Sequence, residues 1–307
     1  MKVYLQVKNK QYLGWEKTTI NKSMMSICNN LSMSLDDSVG IDISSDDLLE
    51  VYKDDKIFFT GYLDSYEHET QSKVKPLKIT ARSKAMDLVD CSIYENKEYN
   101  KLTAEQIIKQ MIKPFNIEVS TNLKLEPIET FSTKVGETYF NAINRLCKQV
   151  NILPISDERG NIKLIKNSNI AQSETLTDNK FLGLKIKNIF NNRFSTYTYK
   201  KESSSQEIQD GTVEDGEIKR FRPFLEVNTE DKSNKDLAEW KKNNSLAKSI
   251  SIDAKFESWD FDINTIHKID TKKAKGQFLI KDIQYSKDNS GTISKVNFVD
   301  KDLFNVR

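Results

Sequence analysis

Apolar and polar residues alternate in short runs at both ends of this chain, and the spacing becomes helical only in the middle. Near the start the alternating sets are Val3, Leu5 and Val7, then Leu31, Met33 and Leu35, then Leu77, Ile79 and Ala81. A period of two turns one side of each run to a core and the other to water, the pattern of half-buried strands. Leu49-Glu50-Val51-Tyr52-Lys53, the turn Asp54-Asp55 and residues 57–63 follow one another directly, which predicts a hairpin. Residues 1–95 therefore read as a small barrel or sandwich. The pattern returns from about residue 181, with Leu182, Leu184 and Ile186, then Phe194, Thr196 and Thr198. It ends with residues 277–280, a turn at 287–291 and residues 293–299.

Between these ends the period changes. Thr103-Ala104-Glu105-Gln106 fits a capping box, and Ile107, Ile108, Met111 and Ile112 then share one helical face before Pro114 stops the helix. Phe140, Ile143, Cys147 and Val150 predict a second helix over 136–150. Residues 152–155, the turn 157–161 and residues 162–165 predict a hairpin. Residues 96–170 form an α/β insert on this reading. Residues 171–307 hold the second β region. There 200–217 reads as a mobile loop poor in apolar side chains, and Leu237, Trp240, Leu246 and Ile250 mark a short Lys-rich helix near 235–249. The fold class expected is a β-rich α+β chain.

The 307 residues suffice for two or three domains. Lys and Arg number 47 against 45 Asp and Glu, a formal charge of +2, which gives no general nucleic-acid footprint. No apolar run approaches the roughly 20 residues of a membrane-spanning helix, and the N-terminus has no secretory stretch. Cys28, Cys91 and Cys147 are sparse and odd in number, as expected of reduced thiols in a protein made in a cytosol.

A search for chemistry finds no catalytic, cofactor-binding or metal-binding residues to nominate. His68 and His267 have no second ligand at metal spacing, and the cysteines form no paired motif. Cys147 reads as a small buried hydrophobe on its helix. The pairs Asp36-Asp37, Asp46-Asp47 and Asp54-Asp55 flank strands and read as turn residues. The basic clusters Lys200-Lys201, Lys241-Lys242 and Lys272-Lys273-Ala274-Lys275 read as solvated faces, and Trp15, Trp240 and Trp259 as core or interface anchors.

Four stretches, in order, resemble the hub protein of Mu-like contractile tails, the phage tail P-like or late-control D-like family. Residues 15–37 are the first, with Ser23-Met24-Met25-Ser26-Ile27 leading to Leu31-Ser32-Met33-Ser34-Leu35. Next come Thr60-Gly61-Tyr62-Leu63-Asp64, Ile79-Thr80-Ala81-Arg82-Ser83-Lys84 and Asp87-Leu88-Val89-Asp90-Cys91-Ser92, the best-marked signature. Gly136-Glu137-Thr138, the helix to Cys147 and Gly160-Asn161-Ile162 are the third. Arg220-Phe221-Arg222-Pro223, Trp240, Trp259 and Asp300-Lys301-Asp302-Leu303-Phe304 complete the set.

The resemblance implies two tail-tube-like β-barrels flanking the α/β insert, the second of them discontinuous and joined by early strands. It implies a homotrimer whose six barrels ring the tail axis, between a six-fold tube or tube-initiator protein and a three-fold central spike. A LysM-type tail protein, wedge proteins and the end of a tape-measure protein in the channel complete the implied partners. Sequence-specific nucleic acid, membrane insertion and cofactors do not figure among them. The rivals are the N-terminal part of a secretion-system spike, a cell-wall-cleaving baseplate enzyme and a carbohydrate-binding β module.

Overall fold

The computed structural model describes residues 1–36, 40–68, 76–166, 171–201, 210–228 and 233–303. They form two compact units. The first comprises residues 1–168, 255–264 and 281–296, and the second residues 169–254, 265–280 and 297–307.

The first unit opens with seven strands: β1 (Val3–Val7), β2 (Lys10–Tyr12), β3 (Lys17–Ser23), β4 (Asn30–Asp36), β5 (Leu48–Lys53), β6 (Lys56–His68) and β7 (Pro76–Ser83). The β5–β6 turn is set by Asp54 and Asp55, both at positive φ (47° and 64°), the left-handed pair a tight two-residue hairpin requires. Lys8 and Asn9, at 49° and 65°, do the same between β1 and β2. The expected alternation holds in β4 and β7, where Leu31 and Ile79 are buried; in β1 Val3, Leu5 and Val7 are buried as expected, but Tyr4 is buried as well.

Next come α1 (Met86–Asp90), β8 (Glu98–Leu102), α2 (Ala104–Met111), β9 (Val119–Thr121), β10 (Ile128–Ser132), α3 (Tyr139–Gln149), β11 (Leu153–Ser156) and β12 (Ile162–Ile165). β8 pairs with β10, and β12 pairs antiparallel with β11 and parallel with β9. Leu88, Ile107, Ile108, Ile143, Leu146 and Cys147 share one apolar core, to which Ile27 and Ala85, ahead of residue 96, also belong. The capping box forms: Gln106 N donates to Thr103 Oγ1 at 3.3 Å, and Thr103 N donates to Gln106 Oε1 at 2.9 Å. Thr103→Ala is expected to cost about 1 kcal/mol in urea unfolding, more than Thr130→Ala on the exposed surface.

The rest of the chain supplies β13 (Ala171–Thr177), β14 (Gly183–Asn188), β15 (Thr196–Lys201), β16 (Asp210–Glu214), β17 (Pro223–Asn228), α4 (Asn234–Ala247), β18 (Ile250–Phe256), β19 (Ile266–Asp270), β20 (Lys275–Asp288) and β21 (Gly291–Asp300). Within the first unit the sheet runs β20-β3-β4-β7-β6-β5-β1-β2, every pair antiparallel. The pairing Asp282↔Ser23 brings residues from opposite ends of the chain side by side.

In the second unit β19 pairs with β13 and with the first residues of β20, and β16-β15-β17 form a small sheet under α4. Two expectations change here. Of the stretch 200–217, residues 200–201 and 210–214 are strand, because Lys200 in β15 pairs with Asp210 and β16 continues to Glu214; residues 202–209 lie outside the described residues. Ile250 opens β18 instead of ending the helix, since α4 stops at Ala247.

Candidate functional site

Three sets of contacts fix the α/β segment to the sheet within the first unit, and they gather residues of the segments that carried the resemblance. The first is built on Gly61 in β6. A Cβ there would lie 2.0 Å from the Arg82 carbonyl oxygen, so only glycine lets β6 and β7 approach so closely. A bulge between Leu63 and Ser65 turns Asp64 out of register. Arg82 then holds Asp64 at 2.9 Å and Asp90 of α1 at 2.7 Å. Bonding to Asp90 raises the Arg82 pKa, and it draws the Asp90 carboxyl below its ordinary value. One guanidinium thus ties a strand bulge to the first helix of the α/β segment.

The second set is the turn between β11 and β12. Gly160, at φ 72°, sits where a Cβ would meet the Thr60 carbonyl oxygen at 2.6 Å. Lys84 Nζ donates to Asn161 Oδ1 at 2.8 Å, and Asp157 Oδ1 accepts from Arg159 N and Asn161 N. The turn is thereby closed on itself and pressed against the end of β7.

The third set centres on Lys22, a β3 side chain only 3% exposed. Its Nζ lies 3.0 Å from Glu158 Oε1, 3.9 Å from Asp262 and 4.5 Å from the centre of the Phe58 ring. Phe58 meets Trp259 and Tyr285 at 5.3 and 4.9 Å. The polar edges of those rings are satisfied, Trp259 Nε1 donating to Ser286 O and Tyr285 OH to Phe261 O. A charge so enclosed is tolerable because carboxylates and an aromatic face replace water around it.

Burial works against the Glu158 carboxylate, but the charge and hydrogen bond of Lys22 outweigh it and hold its pKa below the ordinary glutamate value. A depressed folded-state pKa means that the contribution is complete above about pH 4.3 and is lost as pH falls through the folded value. The gap in urea midpoint between the wild type and Glu158→Gln is therefore expected to narrow from about pH 5 to about pH 3. A gap that stays constant over that range would show that the pair contributes no pH-dependent stability.

The residues weighed for chemistry are dispersed. His68 ends β6, and His267 lies in β19, where burial lowers its pKa against the opposing charge of Glu174. Cys147 is buried, its thiol pushed up to about 12. Among the described residues no group of three His, Cys, Asp or Glu is placed to hold a metal ion. Lys241 lies 4.3 Å from the Phe224 ring, and Lys275 pairs with Asp270, so two of the basic clusters serve local packing. Trp259 is a core anchor. Lys22, Phe58 and Tyr285 were not singled out from the sequence; the signal available was the inward phase of Lys22 beside Thr18 and Ile20.

The fold and these joints define a β-rich protein in which charged side chains lock segments of one chain together. A family model described as Mu phage baseplate assembly protein GpP-like, N-terminal, matches residues 2–83, and one described as baseplate hub protein gp44-like, second domain, matches residues 85–166. The baseplate hub protein gp44 of Escherichia phage Mu is 24% identical over 84% of this chain and 74% of its own length. The 43 kDa tail protein of prophage MuSo2 from Shewanella oneidensis superimposes with a TM-score of 0.88 at 24% identity, over 100% of both chains. An E. coli component of the type VI secretion system shares the fold at a TM-score of 0.61, 11% identical over 96% of this chain and 76% of its own. Residues 2–83 and 85–166 thus match two successive domains of Mu-like baseplate hub proteins, and the role of the chain is that of a structural hub of the tail baseplate.

Proposed function

We propose that three copies of this chain close into a ring on the tail axis, each contributing two tube-like barrels with the α/β insert between them. One side of the ring meets a six-fold tail tube or tube-initiator protein, and the other seats a three-fold spike. LysM-type and wedge proteins contact its periphery, and the end of a tape-measure protein occupies its channel. The chain is made in the bacterial cytoplasm and assembled into a phage or phage-like tail. It turns over no substrate and binds no metal.

The observation that carries this reading is the presence of two compact β-rich units in one chain, each assembled from non-contiguous segments. Two such units per chain let three chains offer six similar surfaces, which matches a six-fold partner to a three-fold one. The relatives named as baseplate proteins support the same reading. A cryo-EM reconstruction of the assembled baseplate without imposed symmetry tests it, with three copies and two barrels per chain expected. Six copies, or one barrel per chain, would overturn it. Turnover of purified peptidoglycan, or stoichiometric zinc by elemental analysis, would overturn the non-catalytic part.

A further inference from the structure

We propose that the solvent face of the first unit's sheet binds an acidic polypeptide segment, held by Lys17, Lys78, Lys255 and Lys295 over a floor of short hydroxyl and amide side chains. This goes beyond the ring reading, since it concerns one unit of one chain and needs no copy number.

The strands present this face by their period. In β3 Thr18, Ile20 and Lys22 point inward, which leaves Lys17, Thr19 and Asn21 on the other side. Register then builds rows across the sheet. Asp288, Lys17, Ser34 and Lys78 form one row, and Ser286, Thr19, Ser32 and Thr80 the next. Lys255, at the end of β18, and Lys295 in β21 border the same groove, which has a volume of about 670 Å³. With strands about 4.8 Å apart, Lys17 and Lys78 are separated by roughly 10 Å. That spacing suits carboxylates spread along an extended chain better than a single small anion.

The charge is unbalanced. Among the described residues four lysines border the groove and Asp288 is its one carboxylate. Asp288 is already engaged: one of its oxygens accepts from the Ser290 N–H and hydroxyl, which lowers its pKa. Lys78 approaches Glu67 at 3.7 Å, whereas Lys17, Lys255 and Lys295 have no ion pair among the described residues.

The floor selects the class of ligand. No aromatic side chain among the described residues lines the groove, so bases and sugar rings find no stacking platform there. Gln284 gives its amide N–H to Asn21 Oδ1 at 3.0 Å, which leaves its carbonyl oxygen as an acceptor beside the hydroxyl oxygens of Thr19 and Ser32. A polypeptide brings main-chain N–H donors for those acceptors together with carboxylates for the lysines. A phosphodiester backbone offers acceptors only. These lysines lie far apart in the sequence, so a search for basic clusters passes over them.

The test uses the full chain, with a fluorescein-labelled oligoglutamate peptide, a Gly-Ser peptide of equal length and a single-stranded oligonucleotide as probes, read by anisotropy. Oligoglutamate is expected to bind at low ionic strength, to be released by ~0.5 M salt, and to bind about tenfold more weakly to a Lys17→Glu, Lys255→Glu, Lys295→Glu variant. A control changing Lys272, Lys273 and Lys275 to Glu should bind as the wild type does. Should the triple charge reversal not fold, the same three positions changed to Gln carry the comparison. Absence of oligoglutamate binding, equal binding by the groove variant, or tighter binding of the oligonucleotide would overturn the proposal.

Discussion

Gly61→Ala is expected to destabilise the first unit by about 3 kcal/mol or more, the range for forcing atoms into a filled backbone contact. The added Cβ would sit 2.0 Å from Arg82 O, 2.7 Å from Arg82 C and 2.8 Å from Ser83 Cα, all backbone atoms that no rotamer change can clear. Relief requires β6 and β7 to separate. That movement would also displace Arg82 from Asp64 and Asp90 and disturb the Thr60 carbonyl against which Gly160 rests. Gly216→Ala is the matched control: nothing lies within 4 Å of a Cβ there, and a change of only a few tenths of a kcal/mol is expected. Urea unfolding followed by tryptophan fluorescence reports on the first unit through the buried Trp259. If the two variants unfold at the same midpoint, the close approach of β6 and β7 is not a constraint on this fold.

That glycine stood in the best-marked signature of the sequence, yet the reason for it did not. Local pattern reveals what local physics decides. The Asp54-Asp55 turn and the capping box at Thr103 are satisfied by neighbours a few residues away, the apolar face of α3 shows in its own period, and each was readable. The five-residue α1, the short pair β8 and β10, and the joining of β20 to β3 depend on partners far along the chain, and no periodicity announces them. β3 was hidden for a second reason. Its inward face carries Lys22, and a lysine in the buried phase interrupts the alternation by which a strand is recognised. The joint residues show the same limit, because Arg82, Asp64 and Asp90 are ordinary charges until a bulge and a helix end bring them within 3 Å. The hub role was legible only through resemblance, because assembly proteins carry no reacting constellation for a sequence to display.

The second large effect is expected in the other unit, where Asp215→Ala should cost about 3–5 kcal/mol, the usual result of stranding one member of a buried ion pair. The Arg193 and Asp215 side chains are 5% and 4% exposed. Arg193 Nε donates to Asp215 Oδ2 at 3.0 Å, and Nη2 donates to both carboxylate oxygens at 2.7 and 2.9 Å. Burial opposes the guanidinium charge, but the bonds to Asp215 and then Glu217 outweigh that opposition and raise its pKa. Without Asp215 only Glu217 remains at 2.8 Å, and it is largely in water. The damage should spread to the small core under α4. Arg222 donates to Arg193 O and packs over Phe194 at 5.1 Å, and Phe194 in turn packs on the buried Tyr197. Arg193→Leu with Asp215→Leu removes both charges, so the double variant should recover much of the loss despite deleting more polar groups. Hydrogen exchange across β15, β16 and α4 measures each variant locally, where global unfolding would average over both units. Near wild-type protection in Asp215→Ala, or a double variant no better than the single, would mean that hydrogen-bond geometry and not charge burial governs this site.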